Sequence, residues 1–106
     1  MNKNNNILTK LDGLRSIVKQ AKSGGDLYIS FKNYRNFVLE NWPENMPDRQ
    51  GWKREMEFTL EKLESKKSIK NINQSKDLQS FITDASNVMH HYDGEFSVYL
   101  TKDEEN

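Results

Sequence analysis

The sequence predicts a mainly α fold: a four-helix domain with a small antiparallel strand pair, with an α+β arrangement as the alternative class. Apolar residues recur three and four positions apart in four separate segments, which is the periodicity of an amphipathic helix. One further segment near the C-terminus alternates apolar and polar residues, which is the pattern of a strand. A chain of 106 residues has room for one hydrophobic core, so residues 1–106 are expected to form a single helical domain.

The first helix is predicted to follow a flexible tail at residues 1–6, with Asn6 as its N-cap. The stretch Ser23-Gly24-Gly25 supplies a stop signal, so this helix should end near Lys22. Its apolar stripe consists of Ile7, Leu11, Leu14, Val18 and Ala21.

The second helix is predicted over residues 31–42, with Ser30 as its N-cap and an extended lead-in at residues 26–29. Pro43 should end it, because proline has no backbone N–H and its ring clashes with the preceding turn. One face of this helix is rich in aromatic side chains and comprises Phe31, Tyr34, Phe37, Val38 and Trp42.

The third helix is predicted to be capped by Asp48 and to run to about Lys66, after a loop at residues 43–47. Charged residues occupy most of its surface, and a polar connection at residues 67–74 follows it. Its core stripe consists of Trp52, Met56, Leu60 and Leu63.

The fourth helix should be capped by Ser75, with Asp77 placed favourably in its first turn. The pair Asp93-Gly94 is expected to break it, and the alternating residues 95–101 then predict a strand. This strand would need a mate, for which the candidates are residues 27–30, residues 69–72 or the same strand of a second subunit. Residues 102–106 are predicted to be a flexible tail. The apolar face of the helix comprises Leu78, Phe81, Ile82, Ala85, Val88, Met89 and Tyr92.

Composition argues against several classes of chemistry. The chain has no cysteine, which excludes a disulfide framework, a thiolate nucleophile and a thiolate metal site. His90 and His91 are the only histidines, and as helical neighbours they point about 100° apart, so they are not placed to chelate one ion together. No phosphate-binding glycine loop or catalytic motif occurs. We therefore expect a protein that is not an enzyme and that holds no cofactor and no metal.

The chain also lacks the apolar segment of a secretory signal and any run long enough to cross a membrane, so the sequence predicts a cytoplasmic protein that does not bind membranes. Net charge is zero but unevenly distributed: residues 1–22 carry five Lys or Arg and one Asp, whereas residues 71–106 carry two Lys and seven acidic residues. Either the two ends neutralise each other in the fold, or they form electrostatic surfaces for partners.

Phe58 is the clearest candidate for a contact with another protein. It falls on the polar side of the third helix, where a large aromatic side chain is unfavourable in water. Either the C-terminal strand or the segment around Ile69 covers it, or a partner does. The stretch from Trp42 to Trp52 is similarly rich in residue types that anchor interfaces, although both tryptophans also fit the core.

These observations favour a small non-enzymatic module that binds another protein, in the manner of an immunity protein, an antitoxin or a phage-type inhibitor acting by steric occlusion. The predicted anchors are Phe58, Arg54, Arg49 and Trp42, with Asp93 and Glu95 complementing a basic target. The alternative is a dimeric regulatory protein that contacts nucleic acid through Arg15, Lys19 and Lys22 on the basic first helix. The sequence leaves the identity of the partner and the formation of a homodimer open.

Overall fold

Four long helices in antiparallel succession make up the architecture of this chain. The computed structural model describes the backbone of residues 3–105 and the side chains of residues 6–100. The helices are α1 (Lys3–Lys19), α2 (Gly24–Glu40), α3 (Arg49–Glu64) and α4 (Lys76–Glu105), and a single turn of 3₁₀-helix at Ile72–Gln74 precedes α4. None of these described helices combines the length and the apolar composition that a membrane span requires.

The helices pack as an up-down-up-down bundle, in which side-chain contacts join the start of each helix to the end of the next or the reverse. The α3/α4 pair shows the antiparallel arrangement directly. Lys66 just beyond the end of α3 lies 3.4 Å from Asp77 at the start of α4, and Trp52 near the start of α3 packs edge-on against Tyr92 at a centroid distance of 5.6 Å. Helix α1 packs between α2 and α4, and α3 packs on the other side of α2.

The core consists of the apolar stripes that the helical periodicity predicts, and this part of the fold prediction is confirmed. Each helix contributes residues spaced three, four or seven apart, so one face of each helix is removed from water. The side chains that are almost completely buried are Leu11, Val18, Leu27, Phe31, Tyr34, Val38, Trp52, Met56, Leu63, Leu78, Met89 and Phe96.

The predicted strand at residues 95–101 is wrong, because α4 continues without interruption to Glu105. Phe96 and Leu100 lie four residues apart and are both buried, whereas Val98 between them is 53% exposed. The three apolar residues at alternate positions fit the pattern of a strand, but the two larger ones also fit the four-residue spacing of a helix. The helix places these two side chains in the core. The described residues contain no strand, so the predicted pairing with residues 27–30, with residues 69–72 or with the same strand of a second subunit is wrong as well.

The predicted helix break at Asp93-Gly94 is also wrong. Gly94 is helical, with no left-handed backbone angle, and a Cβ at this position would meet no atom within 4 Å. Asp93 is buried and is held by contacts to two other helices. Tertiary contacts on the buried face of α4 thus outweigh the local cost of a glycine in a helix, which is about 1 kcal/mol relative to alanine.

Replacing Gly94 by alanine should therefore stabilise the protein, by about 1 kcal/mol, because alanine has the higher helix propensity and finds open space here. Urea unfolding followed by circular dichroism measures the change. Gly13→Ala, also in a helix with open space around the new methyl group, is the matched control and should shift stability in the same direction. A loss of stability in Gly94→Ala alone would contradict the continuous helix, since a turn glycine with positive φ resists this substitution.

The start of α2 differs from the prediction. The helix begins at Gly24 rather than after Ser30, and Ser23 is its N-cap, with the side-chain oxygen accepting a hydrogen bond of 3.1 Å from the backbone N–H of Asp26. Ser30 is instead buried inside the helix and donates to the carbonyl of Leu27 at 3.2 Å. The extended lead-in at residues 26–29 is accordingly wrong: a serine followed three residues later by an acidic side chain was the stronger start signal.

The other helix ends show which cap predictions the structure supports. Ser75 caps α4 as predicted, since its hydroxyl accepts a hydrogen bond of 3.2 Å from the N–H of Leu78. Helix α1 begins at Lys3, before the predicted cap Asn6, and α4 extends through residues predicted as a tail. Asp48 precedes α3 as predicted but adopts a left-handed backbone with φ of 68°, and its side chain makes no capping hydrogen bond. Residues 1, 2 and 106 of the predicted tails lie outside the described residues.

Candidate functional site

Phe58 lies on the outer face of α3 and is 58% exposed. None of the described segments covers it, and the neighbouring contact that the structure records is the Lys62 ammonium, 4.4 Å from the centre of its ring. Arg54, one turn earlier on the same face, is exposed as well. A cation above an exposed ring contributes roughly 0.5–1 kcal/mol, so this contact offsets only part of the cost of leaving the ring in water.

Trp42 and Arg49 belong to the structure of the loop between α2 and α3. Trp42 is half-buried, its indole N–H donates to the carbonyl of Met46 at 2.8 Å, and its ring packs against Trp52 at 5.7 Å. Arg49 is exposed and donates to the carbonyl of Leu39 at 3.3 Å. Both side chains therefore fix the loop, and neither projects freely from the surface in the way that Phe58 does.

Asp93 occupies a polar junction inside the bundle. Its carboxylate accepts a hydrogen bond of 2.6 Å from the Tyr34 hydroxyl on α2 and one of 2.9 Å from the Arg15 guanidinium on α1. Burial raises the pKa of the Asp93 carboxyl, and the contacts with Tyr34 and Arg15 lower it by less, so the pKa remains above its usual value. Burial and the adjacent Asp93 also raise the pKa of Tyr34. Asp93 thus joins three helices, and only 10% of its side chain is exposed.

The basic residues of α1 do not form one continuous positive surface. The guanidinium of Arg15 is engaged by Asp93 and also by Asp12, with which it forms an ion pair one turn away. Lys19 and Lys22 are exposed at the end of α1 and in the following connection. Of the three residues predicted to contact phosphates, Arg15 is therefore engaged within the fold, whereas Lys19 and Lys22 lie exposed at the surface.

The two histidines lie at the surface of α4. His91 faces Glu95 on the next turn, with Nε2 3.7 Å from the carboxylate, and packs edge-on against Tyr92. His90 lies on a different side of the helix and borders a shallow groove between α1 and α4. Within the described part of the chain, no three His, Asp or Glu side chains come together in a way that could hold a metal ion.

Glu95 lies beside a groove between the α2–α3 loop and the last turns of α4. We call this the acidic groove; its volume is about 340 Å³, and Val98 in its wall is 53% exposed. The residues that line it are Met46, Pro47, Asp48, Glu95, Val98 and Tyr99. Apolar side chains from the loop and from α4 form most of its surface, and the two carboxylates stand on opposite sides of it.

Tyr92 lies next to the acidic groove, and nearby carboxylates affect its hydroxyl. Its hydroxyl donates a hydrogen bond of 2.6 Å to Glu55 on α3. Burial raises the pKa of Tyr92, and the hydrogen bond to Glu55 and the negative charges of Glu55, Glu95 and Asp48 raise it further. Carboxylates from α3, α4 and the loop therefore all influence the Tyr92 hydroxyl, a grouping that no local sequence pattern indicates.

A second opening separates α3 from α4 in the middle of the bundle. This α3–α4 cleft has a volume of about 190 Å³ and reaches down to Phe31 of α2, which is buried. Thr59 on α3 and Ala85 on α4 both line it, and their short side chains leave space between the two helices. The lining residues are Phe31, Thr59, Lys62, Phe81, Asp84, Ala85 and Val88. The feature of the sequence that indicates this cleft is Ala85, a small residue on an apolar face of α4 that otherwise consists of bulky side chains.

Comparisons with protein-family models, with curated proteins and with solved structures find no match for this chain.

Proposed function

We propose that this protein is a small non-enzymatic binding module that inhibits another protein by steric occlusion, and that the acidic groove is its contact surface. The observation that supports this best is the combination of an apolar wall with two carboxylates, Asp48 from the loop and Glu95 from α4. A basic surface that presents one aliphatic side chain complements both features. Charge complementarity of this kind speeds association and selects against wrong partners.

The loop that forms one side of the acidic groove is held in place before any partner arrives. Trp42 donates to the Met46 carbonyl, and the N–H of Met46 donates to the Pro43 carbonyl at 3.1 Å. Asp48 keeps a left-handed backbone, which is uncommon for a residue with a side chain and persists where the surroundings enforce it. A preorganised contact surface loses less conformational entropy on binding, which favours tight association.

Inhibition by the proposed mechanism requires only that the protein occupies a surface of its target. A rigid bundle seated on the basic region of a target blocks that region from its substrate or from another protein, as an immunity protein, an antitoxin or a phage-type inhibitor does. The absence of cysteine from the sequence fits action in the reducing cytoplasm. The rival function, contact with nucleic acid through α1, has less support because Asp12 and Asp93 already engage Arg15.

A photo-crosslinking amino acid at Val98 should capture a protein in cells of the native host, whereas the same amino acid at Ile17 should not. Both positions are more than half exposed, with Val98 in the acidic groove and Ile17 on α1. The captured protein, once purified, should bind the wild type with an affinity that falls as salt rises. Capture of nucleic acid at Val98, or of equal protein at both positions, would contradict the proposal.

The same purified partner allows a charge test. The double variant Asp48→Lys, Glu95→Lys should weaken binding at least about tenfold, mainly through slower association, because it reverses the charge of the acidic groove. Glu61→Lys is the matched control, since Glu61 is an exposed carboxylate on α3 that faces α2 instead of the groove. Equal effects of the two variants would mean that the charge of the groove is not recognised.

A further inference from the structure

Phe58 and the α3–α4 cleft lie side by side on one face of the bundle, and Lys62 belongs to both. Lys62 lines the cleft, and its ammonium stands 4.4 Å from the ring of Phe58. Phe58 does not fill the cleft of its own chain, because Thr59, the next residue in the helix, is the one that lines it, and successive helical side chains diverge by about 100°. The molecule therefore presents an exposed aromatic side chain next to an open apolar cleft.

The cleft has the right size and polarity for a phenyl ring. Its volume is about 190 Å³, and its floor and walls are mostly apolar. An apolar cavity of about 150 Å³ in another protein accommodates benzene. Because aromatic side chains seated in pockets dominate the energetics of many interfaces, occupation of this cleft by Phe58 of another copy would remove both unfavourable exposures together.

We propose that two copies of this chain associate about a two-fold axis, with Phe58 of each copy seated in the α3–α4 cleft of the other. A two-fold contact requires a self-complementary surface, in which a protruding group and its receptor occur on the same face. The adjacency of Phe58 and the cleft meets this requirement. A second copy is therefore the occupant that we assign to the cleft.

The charges at the edge of the cleft support the same arrangement. Since the Lys62 ammonium lies over the Phe58 ring, seating that ring in the partner copy brings the ammonium to the edge of the partner's cleft. Asp84 stands at that edge, on the α4 side, and is exposed. The two-fold axis produces this opposite-charge contact twice.

This inference is independent of the proposed function and goes beyond it. Glu95 of the acidic groove lies eleven residues after Asp84 on α4, which is about 16 Å along the helix. A dimer formed through the α3–α4 cleft would carry two acidic grooves. Loss of dimerisation with retained partner binding, or the reverse, would separate the two proposals experimentally.

Sedimentation equilibrium over a range of protein concentrations tests the dimer. The wild type should show a reversible monomer–dimer equilibrium, and Phe58→Ala should raise its dissociation constant at least about tenfold. Ile29→Ala is the matched control, because Ile29 is 60% exposed on α2, away from the cleft, and should leave the equilibrium unchanged. A wild type that stays monomeric throughout, or a Phe58→Ala variant that associates like wild type, would overturn the proposal.

A charge exchange identifies the contact as intermolecular. Lys62→Asp and Asp84→Lys should each weaken self-association, because each variant places two like charges at both symmetry-related contacts. An equimolar mixture of the two variants should associate again, since every contact in the mixed dimer pairs opposite charges. Circular dichroism establishes that both variants are folded. If the variants dissociate and their mixture also stays monomeric, the reciprocal arrangement is wrong.

Discussion

Replacing Gly24 by alanine is expected to destabilise the protein by about 3 kcal/mol, which is a large effect for the addition of one methyl group. A Cβ at this position would overlap the backbone carbonyl of Lys66, and a backbone atom cannot move aside as a side chain can. The N–H of Gly24 also donates to the carbonyl of Ile69 at 2.8 Å. The new methyl group would therefore push apart the two connections that meet at this end of the bundle.

Gly25→Ala is the control for this prediction. A Cβ at Gly25 would lie 3.6 Å from the Lys67 carbonyl oxygen, which is an ordinary van der Waals distance, so the change should be close to neutral. Urea unfolding monitored by circular dichroism gives both values. If the two variants lose the same stability, the close contact between the start of α2 and the end of α3 is not present in solution.

Removing the Asp93 carboxylate should cost about 3 kcal/mol in the variant Asp93→Ala, because two hydrogen-bond donors inside the bundle lose their acceptor. Tyr34, which is fully buried, would lose its hydrogen-bond acceptor, and Arg15 would keep only Asp12. Asp12→Ala is the matched control, because Asp12 is the other carboxylate that pairs with Arg15. The Asp12 side chain is 71% exposed, so its removal should cost less than about 1 kcal/mol. Equal losses of stability in the two variants would show that Asp93 does not form the buried junction with Arg15 and Tyr34.

The junction also predicts how stability depends on pH. Because burial raises the pKa of Asp93 above 3.8, the folded protein binds this proton more readily than the unfolded chain does. The contribution of Asp93 to the free energy of unfolding is therefore fully present below about pH 3.8 and declines as the pH rises through the raised pKa. Relative to Asp93→Asn, the wild type should lose stability over this interval. A relative gain would show that pairing with Arg15 and Tyr34 outweighs burial.

The sequence was sufficient for the helical stripes because their periodicity is local. The residues of these stripes are either buried in the core or partly buried and packed against it. Prediction failed where two local patterns coincided. Phe96 and Leu100 fit alternation and a helical spacing equally well, and only packing against the rest of the bundle decides between them. Ser23 and Ser30 were both plausible caps, and the acidic Asp26 three residues after Ser23 marked the correct one.

The surfaces were less predictable than the core, because they depend on contacts between residues far apart in the chain. Phe58 could be assigned to the polar side of α3 from helical geometry alone. By contrast, Asp93 and Tyr34 are separated by 59 positions, and no local pattern pairs them. The acidic groove similarly joins Asp48 to Glu95 only after α3 and α4 have folded back on each other.

The junction of Arg15, Tyr34 and Asp93 has a consequence for which bundle forms at all. Amphipathic helices with similar apolar stripes can pack in registers that differ by one helical turn, and hydrophobic burial distinguishes these registers poorly. Hydrogen bonds from α1 and α2 to one carboxylate on α4 fix the position of α4 along both of its partners. In a slipped register these polar groups would be buried without partners, so one carboxylate disfavours the alternative registers.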